Sequence, residues 1–259
     1  ERSGLYEEAM LLYKEINRTS PGITKYYHPL KNYLKQTESW DSLLVYTKAF
    51  SKVRSNDLQA KLEFLDVYIL MDADDKWKLL ATTLIMESSL DEKSIKSIIQ
   101  RLVSSGEVDF TYSLITTIRK EADKQDFYSI ELGSYFGMRM SFEKSIQEYL
   151  LFLEYHPQQV QMVSDRIMAF PDDPSINATV KSILMESSMM AAKFILADFQ
   201  FKLKEFDHAY ETLKKNDASA SMLLDFGKDL VAVNEYVRAE KIFSQIMQVT
   251  ENEQLLTKT

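Results

Sequence analysis

The feature that most constrains this chain is a five-position pattern written out twice in full. In Ser141-Phe-Glu-Lys-Ser-Ile-Gln-Glu-Tyr-Leu-Leu-Phe-Leu-Glu-Tyr-His-Pro157, the residues Phe142, Ser145, Tyr149 and Phe152 stand three, four and three apart, which stacks them on one helical stripe. Ile146 and Leu153 widen the stripe, and Pro157 ends it. Residues 4–21 carry the same offsets in Tyr6, Ala9, Tyr13, Ile16 and Pro21. The copies lie 136 residues apart, four periods of thirty-four, so three more copies are expected between them.

Ser39-Trp40-Asp-Ser-Leu43 sits one period after the first copy, behind a helix with Tyr27, Leu30 and Leu34 whose first turn is expected to hold Pro29. Three periods on, Gly106-Glu-Val108 with Thr111, Ile115 and Ile118 repeats the pattern after a helix with Ile95, Ile98, Ile99 and Leu102. The middle copy, 58–71 and 77–86, is degenerate. After Pro157 the register compresses to helices at 158–170 and 175–185 around Pro171-Asp-Asp-Pro174. Two clearer copies follow. Leu196-Ala197 precedes Phe206, Ala209 and Leu213, and Phe226-Gly227 with Leu230 precedes Tyr236, Ala239, Phe243 and Ile246. Leu84-Ile-Met-Glu-Ser-Ser89 is echoed by Ile183-Leu-Met-Glu-Ser-Ser188, 99 residues on. The expected organisation is one domain over 1–249, with a half repeat at 1–22, seven helix pairs, a tail at 250–259 and about fifteen helices.

A first helix with Leu132-Gly133 and Phe136, then a second with Ser145, Tyr149, Phe152 and Pro157, resembles the tetratricopeptide repeat. The resemblance implies an all-α, right-handed solenoid of antiparallel helix pairs, and the helical period of every segment between turn signals predicts about three quarters helix without sheet. It also implies that a ligand lies in the concave groove lined by the first helices. Carried onto this chain, the groove positions are His28, Asn32 and Lys35, then Lys93, Lys96 and Gln100, then Phe127, Ile130 and Ser134. Phe194, Asp198, Phe201, Leu224 and Lys228 follow in the last repeats. One subclass clamps a peptide's terminal carboxylate with lysines and asparagines. Asn32 matches one asparagine, but His28 stands where a lysine belongs and Glu63 is near the second asparagine.

Composition agrees with helices and narrows function. Six Gly and five Pro are too few for the turns of a sandwich or barrel. A net charge of −8 without a basic run argues against nucleic acid or an anionic membrane as principal partner. The longest uncharged run, from Tyr155 to Ser164, is ten mostly polar residues, so no membrane insertion is expected. Absence of cysteine removes disulfides, zinc thiolates and thiol nucleophiles, and fits a reducing cytosol and an envelope compartment equally. The chain opens on Glu1 partway through a repeat, from which a segment of something longer is expected.

Small residues at Ala9, Gly133, Ser145, Ala209, Gly227 and Ala239 read as helix-crossing points, and Tyr13, Tyr149 and Phe243 as seam fillers, with Glu148 on the solvent side. Met185, Met189 and Met190 read as seam packing or as an adaptable patch. No chemistry-bearing constellation emerges. His28, His156 and His208 fall in separate repeats, so no metal or other cofactor is expected. Asp72, Asp74 and Asp75 lack the glycine and closing glutamate of a calcium loop and read as caps for the helix of Trp77, as Asp172 and Asp173 do before Pro174. The expectation is a non-catalytic scaffold that binds a protein or peptide. The alternative is a helical accessory domain of a larger enzyme or of a secretion or envelope assembly machine. Phe194, Asp198 and Phe201 share one helix face, which reads either as an open Phe-Asp-Phe ladder beside Leu224 and Lys228, or as aromatics buried between repeats with Asp198 at the edge. Compartment and oligomeric state are left open by the pattern.

Overall fold

The structure is a computed structural model that describes residues 2–86 and 91–256, with side chains over 6–86 and 91–247. It is 81% helical, with no strand among the described residues. Fifteen α-helices are seen there: α1 (Arg2–Thr19), α2 (Thr24–Gln36), α3 (Trp40–Val53), α4 (Leu58–Leu70), α5 (Asp74–Met86), α6 (Glu92–Ser105), α7 (Val108–Glu121), α8 (Ser129–Met138), α9 (Phe142–Tyr155), α10 (Val160–Met168), α11 (Pro174–Glu186), α12 (Met190–Lys202), α13 (Phe206–Lys215), α14 (Ala220–Ala232) and α15 (Tyr236–Leu256). The half repeat is α1, and the seven pairs run from α2–α3 to α14–α15.

The packing gathers into two compact units, Glu1–Phe127 and Tyr128–Thr259. In the first, α1 packs on α2, and each later pair leans on its neighbour through α3 with α4 and α4 with α6. Its interior holds Leu30, Leu34, Leu43 and Val67, a Tyr27 ring stacked 3.8 Å from Phe50, and Trp77, edge-on to Phe110 at 5.0 Å. In the second, α9 with α11 and α10 with α12 join successive pairs. Ile146, Tyr149, Val163, Ile167, Val180 and Ile195 fill one seam, and Phe206, Ala209, Phe226 and Leu230 another.

The crossing points are as tight as their residues predict. A Cβ on Gly133 would fall within the ring of Tyr149, and one on Gly227 within that of Phe243. Both pairs share the same offset of sixteen residues. Ser145 is fully buried, and its hydroxyl donates to the Gly133 carbonyl at 2.6 Å, so it is both a small spacer and a satisfied polar group.

Inside most pairs the chain reverses on one left-handed residue: Glu38 (φ 51°), Asp72 (φ 53°), Gly106 (φ 94°), Met140 (φ 59°), Lys204 (φ 61°) and Asn234 (φ 67°). The first four stand thirty-four apart. After each, the next N–H returns to the carbonyl five residues back. Ser39 reaches Leu34 at 2.8 Å, Ala73 reaches Tyr68 at 3.0 Å, and Ser141 reaches Phe136 at 2.9 Å. That bond closes the helix end, but only at Gly106 is the left-handed residue before it one without a Cβ penalty. Met140→Gly, at a side chain 74% exposed, is therefore expected to raise stability by ~0.5–1 kcal/mol in a urea titration. A loss instead would mean that the methionine contributes packing.

Five expectations change. Pro29 lies inside α2 rather than in its first turn, because the helix starts at Thr24. The missing N–H deprives the Lys25 carbonyl of its helical donor, and exposure of Lys25 lets water serve instead. Glu148 is 4% exposed, on the buried flank of α9 rather than outside. The helix after Pro157 begins only at Val160, following a 3-10 turn at Pro157–Gln159. The tail expected from 250 continues α15 to Leu256. Of the methionines, Met185 and Met190 are exposed, while Met189 packs on the core.

Asp173 caps α11, accepting from the Ser175 N–H at 2.9 Å, whereas Asp172 accepts from the Asn177 side-chain amide at 2.8 Å. Before Trp77 the acids take other roles: Asp72 is the left-handed turn residue, and Asp74, in the first turn of α5, accepts from the Trp77 indole at 3.2 Å and the Lys78 ammonium at 3.1 Å. Positions 87–89 of the first echo lie outside the described residues. The second echo closes α11 and leads into α12.

Candidate functional site

The first helices of the pairs are α2, α4 and α6 in the first unit and α8, α10, α12 and α14 in the second. In each unit their side chains meet along one face, and the two faces differ in chemistry.

In the first unit the face is occupied by its own charges. Glu63 on α4, 8% exposed within an apolar run, sits 3.0 Å from the Lys31 ammonium and 3.3 Å from His28 Nε2, both on α2. Arg101 on α6 lies 3.3 Å from the Asp66 carboxylate, and burial raises the pKa of Asp66 against the pull of Arg101 and Lys35. Tyr27 donates to the Thr47 hydroxyl at 2.9 Å, and burial pushes its phenol well up. Glu63 is thus a strut between first helices, a role signalled by one carboxylate between Leu62 and Leu65. Asn32 and Gln100 are exposed, with the Gln100 amide donating to the Ser104 hydroxyl at 3.2 Å. Phe127 is not on a first helix. It precedes α8, which starts at Ser129, and is 6% exposed, with the Arg119 guanidinium donating to its carbonyl at 2.9 Å.

In the second unit Ser134 on α8 is half-buried. Its hydroxyl donates to the Ile130 carbonyl at 2.8 Å and accepts from the Arg166 guanidinium of α10. Arg166 also lies over the Tyr149 ring, 5.9 Å from its centre. Ser134 is therefore used up in joining pairs.

On α12, Phe194 and Phe201 are half-buried. Phe201 meets Phe206 edge-on at 5.0 Å and Phe226 at 5.5 Å, so its ring takes part in packing while remaining half-buried. Between them Asp198 is exposed and accepts from the Ser164 hydroxyl of α10 at 3.0 Å. Neighbouring helices crowd this carboxylate even where solvent touches it. That desolvation, then the charges of Asp229 on α14 and Asp165 on α10, raises its pKa despite the serine. Leu224 is 40% exposed, and Lys228 is exposed with its ammonium 2.7 Å from Asp225. Asp229 is raised as well, by burial first and Asp225 second.

On α12 the structure sets Asp198 between the half-buried Phe194 and Phe201, while Leu224 and Lys228 are exposed on α14, and Asn32 and Gln100 lie in the other unit. The residues missed by sequence reasoning are Ser164, Asp165 and Asp229. The spacing of Ser164 and Asp198, thirty-four residues, was the available clue. Recesses of about 540 Å³ between the starts of α9 and α11, and about 270 Å³ among Lys193, Gln200, His208 and Thr212, share no residue with this face. Among the described residues no group of three or more His, Asp or Glu could hold a metal ion, and no helix is long and apolar enough to cross a membrane. Neither a scan against protein-family models nor a search of curated proteins finds a match to the chain.

Proposed function

We propose that the chain is a non-catalytic protein-interaction module of the tetratricopeptide type, which holds an extended segment or helix of a partner protein against the first helices of its second unit. The observation that carries the reading lies on α12, where half-buried Phe194 and Phe201 flank an exposed carboxylate tied to α10 through Ser164, with Leu224 and Lys228 exposed on α14. Apolar anchors with polar groups between them suit a peptide or helix, which needs burial for affinity and polar contacts for register. The tetratricopeptide assignment is supported by left-handed turns thirty-four residues apart at 38, 72, 106 and 140, and by the glycine–aromatic crossings. The last two pairs are offset by thirty rather than thirty-four residues, and α10–α11 lacks the left-handed turn. The first-unit face, with its charges paired internally, is the weaker candidate.

Panning a peptide library against the intact protein tests the reading. Selected peptides should lose at least ~10-fold in affinity on Leu224→Ser with Lys228→Ser, and little on Tyr155→Ser, an exposed control on α9. Peptides indifferent to the face variant would overturn it.

A further inference from the structure

We infer that the second unit holds a site for a small carboxylate on a short aliphatic stem, in the recess where the end of α11 meets α12 and α13. The recess measures about 270 Å³, and Met185, Leu196, Gln200 and Thr212 are among the residues that line it. Its lining includes neither Phe194, Asp198 and Phe201 nor any residue of α14, so the site stands whether or not a partner segment is held there.

Gln200 is the residue that points to a ligand. It is only 6% exposed, yet its amide is half satisfied. The Oε1 atom accepts from the Thr212 hydroxyl of α13 at 2.8 Å, while the two protons on Nε2 meet no acceptor among the described residues. Buried amides ordinarily use both ends, because a donor withdrawn from water and left unpaired is costly. Here the idle donors belong to a side chain that lines an open recess, where an oxygen from outside can reach them.

Charge decides which oxygen. Lys193, half-buried on α12, donates to the Leu184 carbonyl at 3.3 Å and to the Met185 carbonyl, which closes the end of α11 and leaves its ammonium one N–H. Lys215 on α13 is exposed and forms no ion pair among the described residues. Against these two cations the lining sets one carboxylate, Glu211, which is exposed and screened by water. His208 is 77% exposed and lies 3.9 Å from Glu205. The recess therefore favours an anionic oxygen over a neutral one and disfavours an ammonium.

Size and walls decide the rest. The volume is below the ~300 Å³ at which pockets for drug-sized ligands begin, so the occupant is small. Leu196, 2% exposed, and Met185 set apolar surface beside the amide, and the methionine can shift to fit. A few methylenes behind a carboxylate fill such a space. The stem can belong to a free short-chain acid or to a glutamate of another protein, and the chemistry recognised is the same.

The test titrates the isotope-labelled full chain with sodium butyrate, butyramide and inorganic phosphate, read by NMR. Butyrate should shift the side-chain amide signals of Gln200 and bind with a dissociation constant of about 1–10 mM, at least ~10-fold tighter than butyramide or phosphate. A capped tripeptide, acetyl-Gly-Glu-Gly-amide, separates the two sources. Tighter binding than butyrate assigns the site to an acidic side chain of a partner and weaker binding to a free acid; either upholds the inference. Gln200→Met, which keeps the length and removes the donors, should weaken butyrate at least ~10-fold, and Lys215→Gln about 3-fold. Lys120→Gln, exposed in the first unit, removes the same charge and should leave binding unchanged. Butyrate that leaves the Gln200 signals unmoved, or butyramide or phosphate that binds as well as butyrate, overturns the inference. Should Gln200→Met fail to fold, the Gln200 signals of the unaltered chain and the loss on Lys215→Gln decide the matter.

Discussion

Tyr149→Ala should destabilise the second unit by ~3–5 kcal/mol, because a ring 3% exposed leaves a cavity that its neighbours cannot close. Gly133→Ala should cost ~1–3 kcal/mol for the opposite reason, since its methyl would enter the space of that ring. Combined, the two should cost at least ~1 kcal/mol less than their sum, because the alanine methyl then occupies part of the vacated volume. Urea titrations of the four proteins of the cycle give the coupling. Strict additivity would mean that the ring and the glycine are not in contact. Gln147→Ala, exposed on the same helix, should stay within ~0.5 kcal/mol.

The bulkiest fully buried side chain among the described residues is Trp77, in the first unit. Trp77→Ala should cost ~3–5 kcal/mol, as the side chain is 1% exposed and lies edge-on to Phe110. Trp77→Phe should cost clearly less, since a ring remains against Phe110 and the chief loss is the indole donor to Asp74, a bond at 3.2 Å to an exposed carboxylate. Thermal melts and urea titrations order the two variants. Equal losses would assign the stability to the hydrogen bond instead of the packed ring.

These effects bear on what was legible beforehand. The helix pairs were readable because steric necessity writes them: a residue without a Cβ at 133 or 227 demands an aromatic sixteen positions later, and the chain supplies Tyr149 and Phe243. The turns were less readable because their requirement is a backbone angle, which Glu38, Asp72, Met140, Lys204 and Asn234 meet without the glycine that would signal it. Only Gly106 gave the position away. Glu148 was misplaced because a stripe drawn from Phe142, Ser145 and Tyr149 marks one buried face, whereas α9 touches α8, α10 and α11 and is covered on more than one side.

The face on the second unit was half legible. Phe194, Asp198 and Phe201 share a stripe by arithmetic, so their proximity followed from helical geometry alone. Whether the rings were open or packed did not follow, and the structure places each partly in both conditions. Asp165 and Asp229 escaped notice because nothing local distinguishes them. They matter only through the stacking of α10, α12 and α14, which a pattern confined to one helix cannot express.

Within each unit, helices in appreciable contact are never more than two positions apart along the chain. Such a unit resists a pulling force the way links resist it in series: tension on its ends loads every seam equally, and the weakest gives first without the others having to yield. Rupture would then come in steps, each freeing one helix pair and lengthening the chain by ~100 Å as about thirty-four residues straighten. Behaviour under load is set by the poorest seam, whereas resistance to heat draws on all of them. A molecule built this way can give ground at one joint and keep the rest of its surface in order.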